Sequence, residues 1–179
     1  MKAIYKFIYF KLLKWEIIGD FPRDLNKYIV IAVPHTHWHD FPMGIMLRNI
    51  LDTKINFVAK KELFKGPLGW YLRKVGGYAI DRTKGQNKVE AYAQLFKDND
   101  KFILNIAPEG TRKKVEKWKT GFYYIAKEAQ VPIVMVAFDF GKKQHKISAP
   151  FYPTDNVEAD FEFMYSFFEG VVGRVPEYS

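Results

Sequence analysis

Short apolar runs alternate with segments of helical periodicity along most of the chain. Strands are predicted for four of these runs, at residues 28–33, 55–59, 102–106 and 131–138, and the first and last of them are predicted to be buried. Two shorter strands are predicted at 15–18 and 78–80, and an outer strand is predicted at 144–148. Helices are predicted at 42–51, 60–75, 87–97, 121–129 and 157–172. We find no internal repeat. The alternation predicts a single α/β domain with a mostly parallel central sheet flanked by helices.

The most polar junction in this pattern is the run Pro34-His35-Thr36-His37-Trp38-His39-Asp40. It lies between the strand predicted at 28–33 and the helix predicted at 42–51. Three of the four histidines of the chain are in this run, which also ends in a carboxylate. Because α/β proteins bind ligands beyond the carboxyl ends of their strands, this junction is the first candidate for an active site.

His35 and Asp40 have the chemistry of a general base and of the residue that orients it. Histidine exchanges a proton near neutral pH, and a carboxylate fixes the imidazole tautomer and stabilises the imidazolium. The chain has no cysteine, and no serine lies in a nucleophile elbow. The histidine is therefore expected to activate a hydroxyl or amine that the substrate brings. The alternative interpretation of Asp40 is a helix cap without a catalytic role.

Two further polar clusters follow predicted strands, at Asp81-Arg82 and at 109–112. Arginine forks match phosphate geometry, so Arg82 and Arg112 predict an anion site at the same edge of the sheet as His35. Gly110 either allows the backbone to approach a ligand or makes a turn. Glu109 is open to three roles: orienting an acceptor hydroxyl, holding Arg82 or Arg112 in the site, or forming an ion pair that supports the loop.

Charge and composition narrow the class of partner. The 179 residues carry a formal net charge of +8, and 48% of them are hydrophobic. A folded domain with an anionic partner is predicted: nucleic acid, acidic lipid or a phosphorylated substrate. No apolar run reaches the roughly 18–20 residues that span a bilayer, and no small-residue cleavage site follows the first apolar stretch. We expect a cytoplasmic protein, peripheral on the cytoplasmic face of a membrane.

Residues 1–14 form an aromatic and basic segment, distinct from the domain predicted for 15–179. On a helical wheel its apolar side carries Ile4, Tyr5, Ile8, Leu12 and Trp15, and the other half carries Lys2, Lys6, Lys11 and Lys14. This pattern is typical of an interfacial helix that lies on anionic lipid. It is also typical of a terminal helix that packs on its own domain.

Four blocks of the sequence, taken together, resemble the ordered motifs of the glycerolipid acyltransferase family, the 1-acylglycerol-3-phosphate acyltransferases. The blocks are PHxxxxD from residue 34, GYAIDR at 77–82, APEGTR at 107–112 and VPIV at 131–134. The resemblance runs from about Trp15 to Pro153, and its first and third blocks are the specific ones.

The resemblance implies transfer of an acyl chain to a hydroxyl of a lysophospholipid-type acceptor such as 1-acylglycerol-3-phosphate. Acyl-CoA or acyl carrier protein would be the co-substrate, and neither a cofactor nor a metal is implied. His35 would be the general base, Asp40 its orienter, and attack on the thioester direct. Substrate-binding roles are implied for Lys60, Arg82, Glu109, Gly110, Thr111 and Arg112, with Lys60 and the two arginines meeting the anionic group of the acceptor.

Three other interpretations stay open at this point. The acceptor can be another lysolipid, such as an amino-acid lipid. The run His35-x-His37-x-His39-Asp40 superficially resembles the ligand set of a zinc hydrolase. A non-catalytic protein that binds anionic lipid fits the charge and the aromatic content, whereas no nucleic-acid-binding module is recognisable.

Overall fold

A computed structural model of the protein describes residues 2–80 and 88–179, without the side chains of Lys60, Ile80 and Lys88. The strands of the described residues form one sheet in the order β1-β7-β6-β2-β5-β3-β4. They are β1 (Glu16–Ile18), β2 (Lys27–Val33), β3 (Asn56–Lys60), β4 (Gly77–Ile80), β5 (Phe102–Ile106), β6 (Ile133–Asp139) and β7 (Gln144–Ile147). Neighbouring strands are parallel except β6 and β7, which are antiparallel.

Helices lie on both faces of this sheet. They are α1 (Lys2–Lys6), α2 (Asp40–Ile50), α3 (Gly66–Lys74), α4 (Lys88–Lys97), α5 (Gly121–Ala129) and α6 (Val157–Phe167). A π-helical segment, Phe7–Leu12, continues α1, and 3₁₀ turns occur at Lys61–Phe64 and Pro176–Tyr178. The predicted α/β architecture with a mostly parallel sheet is therefore confirmed.

The central strand β2 divides the core into two layers. Ile29 and Ile31 face a cluster that includes Phe122 and Met164 from α5 and α6. Tyr28 and Val30 face a second cluster, which α2 covers and which Tyr9 also joins. Successive side chains of a strand point to opposite faces of the sheet. Because both faces of β2 are buried, all of its central positions are apolar.

Two predicted helices have different bounds in the structure. The helix predicted for 60–75 is two elements in the structure: the 3₁₀ turn Lys61–Phe64 and the helix α3. Helix α3 begins at Gly66, and Pro67 lies in its first turn, where the missing N–H of proline costs no helical hydrogen bond. The helix predicted for 157–172 ends at Phe167. Gly170 then adopts a left-handed conformation with a φ of 72°, and the chain turns back across the sheet.

The helical wheel of residues 1–14 does not separate the buried side chains of this segment from the exposed ones. Tyr9 is fully buried, whereas Ile4 and Leu12 are more than 60% exposed. The π-helical segment has more residues per turn than an α-helix, so the 3.6-residue period does not apply to it. The Tyr9 hydroxyl hydrogen-bonds the Nδ1 atom of His145, which is itself completely buried on β7. The segment thus packs on its own domain through Tyr9 and leaves other apolar side chains in solvent.

Candidate active site

The order of the strands brings the predicted polar clusters to one edge of the sheet. Strand β5 pairs in parallel with both β2 and β3, so the loops that follow these three strands are neighbours. His35 follows β2, Glu109 to Arg112 follow β5, and the backbone of Lys60 ends β3. Arg82, which follows β4 in sequence, lies outside the described residues. The juxtaposition of the first two clusters is what the rule for parallel sheets predicts.

His35 and Asp40 form a hydrogen-bonded pair. The Nδ1 atom of His35 lies 2.9 Å from Oδ2 of Asp40. The imidazole is partly exposed, whereas the carboxylate is only 4% exposed. Because Nδ1 is occupied by the carboxylate, Nε2 is the nitrogen that remains to exchange a proton with a substrate.

The same carboxylate oxygen also organises the backbone of the turn. Oδ2 of Asp40 accepts the N–H of Thr36 at 2.9 Å and that of His37 at 3.0 Å. Asp40 is the first residue of α2, where a negative charge is stabilised by the helix dipole. The two interpretations of Asp40 are therefore compatible. The same oxygen, Oδ2, binds the backbone N–H groups that precede the helix and the imidazole of His35.

Glu109 holds the backbone of the base. Its two carboxylate oxygens accept the N–H of His35 at 3.1 and 3.0 Å, a contact that the sequence did not suggest. Burial raises the pKa of Glu109 to about 7, although the hydrogen bond from His35 and the nearby imidazole oppose that shift. Glu109 thus fixes His35 from β5 while Asp40 fixes it from α2.

The loop after Glu109 carries a cation, Lys119, that packs against Gly110. Gly110 has a φ of 65°, which favours glycine, and a Cβ there would meet the side chain of Lys119, whose Nζ would lie 2.5 Å away. The loop between these residues is tied to α6, because Trp118 packs on Tyr165 with ring centroids 4.3 Å apart and donates its backbone N–H to that hydroxyl. Lys119 is a further cation at this loop, outside the set of substrate-binding residues that the resemblance implies.

Two cavities meet at His35. One, of about 310 Å³, lies between α2 and the sheet, and its lining is mainly apolar, from Phe41 and Gly44 on α2 to Val136 and Phe138 on β6. The other, of about 360 Å³, is more polar and is lined by Gly110, Thr111 and Arg112. His35, Asn105 and Arg112 line both. The arrangement offers a site for an apolar chain and a site for an anion, with a base between them.

Asn105 and Arg48 were missed as site residues in the sequence. Asn105 is a polar residue within the apolar strand β5, and that contrast was the signal available. Arg48 lies at the far end of the apolar cavity and donates from Nη1 to the carbonyl oxygens of Ile55 and Val75 at 2.5 and 2.6 Å. Burial lowers the pKa of Arg48, and Tyr5 and Tyr71 partly offset this.

The other two histidines of the turn interact with each other. The ring centroids of His37 and His39 are 4.5 Å apart, and the backbone N–H of His39 donates to Nδ1 of His37. Across residues 2–80 and 88–179, no group of three or more histidine, cysteine, aspartate or glutamate side chains is placed to hold a metal ion.

Comparison with known proteins identifies the family. The family model described as Acyltransferase matches residues 15–139. The human 1-acyl-sn-glycerol-3-phosphate acyltransferase beta is 30% identical over 84% of this chain and 55% of its own length. The Bacillus subtilis 1-acyl-sn-glycerol-3-phosphate acyltransferase is 33% identical over 61% of this chain and 54% of its own length. The chain therefore spans about half the length of the curated relatives it matches.

A solved structure agrees with this assignment. The 1-acyl-sn-glycerophosphate (LPA) acyltransferase PlsC from Thermotoga maritima has a TM-score of 0.62 and 26% identity, over 93% of this chain and 75% of that one. The family match contains both the His35–Asp40 pair and the Glu109–Arg112 loop. By its sequence, its fold and the residues at this edge of its sheet, the chain belongs to the acyltransferase family that includes the glycerolipid enzymes.

Proposed function

We propose that the protein transfers an acyl chain from a thioester donor to the free hydroxyl of 1-acylglycerol-3-phosphate. The observation that carries the proposal is the His35–Asp40 pair, held at the junction of an apolar and a polar cavity. The names of the matched relatives supply the substrate class, and the residues of this chain supply a consistent chemistry.

In the proposed reaction, Nε2 of His35 accepts the proton of the acceptor hydroxyl as its oxygen attacks the thioester carbon. The new C–O bond forms, the C–S bond breaks, and the proton passes from the imidazolium to the departing thiolate. Asp40 stabilises the imidazolium that forms between these steps. The chain contains no cysteine to carry an acyl group, which favours direct transfer between the two substrates.

The apolar cavity is suited to the acyl chain of the donor. It runs along the face of α2 that carries Phe41, Gly44 and Arg48, beginning next to His35. Eight residues of helix span roughly 12 Å, so a medium-length acyl chain fits between the base and Arg48. The guanidinium of Arg48 makes the far end polar, which opposes extension of an alkyl chain beyond it.

The polar cavity is suited to the phosphate of the acceptor. Arg112 lines it together with Thr111 and the backbone of Gly110, and Lys119 packs over Gly110 from outside. An arginine fork binds phosphate in bidentate geometry, and glycine leaves its backbone accessible to a ligand. Lys60 and Arg82 remain proposed as further cations of this site.

We also propose that the protein docks on an anionic membrane surface. Phe7, Leu12 and Trp70 are each more than half exposed, although they are large apolar residues. The π-helical segment with Phe7 and Leu12 is flanked by lysines, and Lys74 lies over the ring of Trp70. In the parts of the chain that the structure describes, no helix is long and apolar enough to cross a bilayer. Exposed apolar side chains among lysines are suited to the interface instead.

The test is thiol release from acyl-CoA and from acyl carrier protein, each charged in turn with octanoyl, decanoyl and palmitoyl chains, with a panel of lysolipids as acceptors. We expect release that depends on 1-acylglycerol-3-phosphate and that is abolished in His35→Ala. His37→Ala removes a histidine of the same turn from outside the pair and should keep the activity. Thiol release that does not depend on the acceptor would identify a thioesterase. Thiol release with another lysolipid alone would identify that lysolipid as the acceptor. No release with any pair of substrates would refute the proposed function.

A further inference from the structure

The segment that follows α6 returns to the catalytic turn. We call residues 171–179 the strap. It crosses the end of β6, where the N–H of Phe140 donates to the carbonyl oxygen of Val172 at 2.8 Å. Its 3₁₀ turn, Pro176–Tyr178, closes with the hydroxyl of Ser179 accepting the N–H of Gly173 at 2.8 Å. The strap is therefore anchored to the sheet at one end and folded on itself at the other.

The strap touches the turn at Thr36 and Pro34. The N–H of Val175 donates to the hydroxyl oxygen of Thr36 at 3.1 Å, a contact between residues 139 positions apart. Gly173 packs against both residues: a Cβ there would lie 2.7 Å from Cγ2 of Thr36 and 2.9 Å from Cγ of Pro34. Thr36 is only 3% exposed as a result. This close approach requires a residue without a side chain at 173.

Thr36 connects the strap to the base. Its backbone N–H donates to Oδ2 of Asp40, the oxygen that also binds Nδ1 of His35. The hydroxyl of Thr36 thus faces the strap while its N–H faces the catalytic carboxylate. A shift of Thr36 would alter the position of Oδ2 relative to the imidazole. A displacement of even 1 Å at such a contact can cost roughly 100-fold in rate.

We propose that Thr36 and Gly173 are positioning residues for the acyl transfer: through them the strap holds the His35–Asp40 pair in its reactive geometry. The inference rests on the proposed function, and it adds a part of the chain that lies beyond the matched family region. Neither the strap nor Thr36 lines either cavity. Loosening the contact should therefore lower kcat and leave the KM values for donor and acceptor nearly unchanged.

The first test exchanges only the hydroxyl of Thr36. Thr36→Val keeps the shape of the side chain and removes the acceptor for the N–H of Val175, whereas Thr36→Ser keeps the acceptor. We expect kcat to fall roughly 10- to 100-fold in the valine variant and to stay near the wild-type value in the serine variant. Equal kcat values in the two variants would overturn the proposal, as would a loss that appears in KM.

The second test approaches the contact from the strap. Gly173→Ala places a methyl group against Thr36 and Pro34, and we expect a loss of kcat similar to that of Thr36→Val. Gly121→Ala is the matched control, because a Cβ at Gly121 meets nothing within 4 Å. Thermal unfolding of both variants identifies a general loss of fold. A folded Gly173→Ala protein with the kcat of the Gly121→Ala protein would contradict the inference.

A spectroscopic measurement separates this inference from the proposed function. The ring resonances of His35, assigned by comparison with His35→Gln, report on the imidazole without any substrate. We expect them to shift in Thr36→Val and Gly173→Ala and to remain in place in Thr36→Ser and Gly121→Ala. If no lysolipid is acylated but the resonances shift in this pattern, the proposed function fails and the strap contact stands. If the His35 resonances are unchanged in all four variants, the positioning role of the strap is refuted, whether or not the proposed function holds.

Discussion

At the scale of single residues, one oxygen atom connects the fold to the chemistry. Oδ2 of Asp40 binds His35 and two backbone N–H groups of the turn, while Oδ1 has no hydrogen-bond partner among the described residues. In Asp40→Asn the amide oxygen can take the place of Oδ2 and the NH₂ group that of Oδ1. The geometry is then retained, but the charge that stabilises the imidazolium is lost.

We therefore expect Asp40→Asn to lower kcat by roughly 10³-fold without raising KM. Asp160→Asn is the control, because Asp160 is also buried and accepts hydrogen bonds from Tyr123 and Thr154, away from the cavities. It should lower the free energy of unfolding while sparing kcat. Steady-state kinetics and urea unfolding of both variants check this, and similar kcat values would argue against an electrostatic role for Asp40.

Glu109 makes a second prediction at this scale, about stability and pH. Burial raises its pKa from 4.5 to about 7, so the folded protein binds more protons than the unfolded chain between these values. Its contribution to stability is thus complete below pH 4.5 and is lost as the pH rises through 7. Glu109→Gln has no such titration. We expect the unfolding free energy of the wild type, relative to Glu109→Gln, to fall by about 2 kcal/mol between pH 5 and pH 8. Parallel pH profiles in urea unfolding would contradict the raised pKa.

At the scale of elements, α2 carries both the carboxylate of the His35–Asp40 pair and one wall of the apolar cavity. Gly44 lies on that wall, and a Cβ there would be 3.6 Å from Cζ of Phe138, an ordinary contact distance. Gly44→Ala should be tolerated and should stabilise the helix by about 0.5–1 kcal/mol. Gly44→Leu should fill the cavity. We expect its kcat/KM to fall far more with decanoyl-CoA than with butanoyl-CoA, and an equal loss with both donors would place the acyl chain elsewhere.

The N-terminal segment is held to β7 by one buried polar contact. In Tyr9→Phe the Nδ1 atom of His145 loses the Tyr9 hydroxyl, and Nε2 already has no partner among the described residues. An unpaired buried polar group costs about 1–3 kcal/mol, so we expect the free energy of unfolding to fall by that amount. Tyr124→Phe, at an exposed tyrosine, should change it little. Equal unfolding free energies for the two variants would show that the contact does not stabilise the fold.

At the scale of the whole molecule, the predictable part of the structure is the part with a local pattern. Strands β2, β3, β5 and β6 could be located because each coincides with a short run of mostly apolar residues, and the meeting of His35 with Glu109 followed from the rule for parallel strand ends. The contact of Thr36 with Val175 leaves no local pattern, because it joins residues 139 positions apart. The burial of Tyr9 escaped prediction because the π-helical segment changed the period on which the wheel depended.

The exposed residues of that segment lead to a prediction for the whole molecule. A net charge of +8 attracts the protein to anionic lipid, and Phe7 and Leu12 can insert into the interface because Tyr9 already anchors their segment to the domain. We expect cosedimentation with phosphatidylglycerol vesicles to weaken as salt is raised and to fall about tenfold or more in the double variant Phe7→Ser/Leu12→Ser.

Tyr152→Ser, at an apolar residue 58% exposed outside the segment, is the control for this experiment. Its binding should match the wild type, since the lysines and the N-terminal segment are intact. If the double variant and the control bind equally at every salt concentration, the attraction comes from charge alone. The N-terminal segment would then serve only to cover His145. If the double variant alone loses binding, the same short segment packs on the core of the domain through Tyr9 and binds anionic lipid through Phe7 and Leu12.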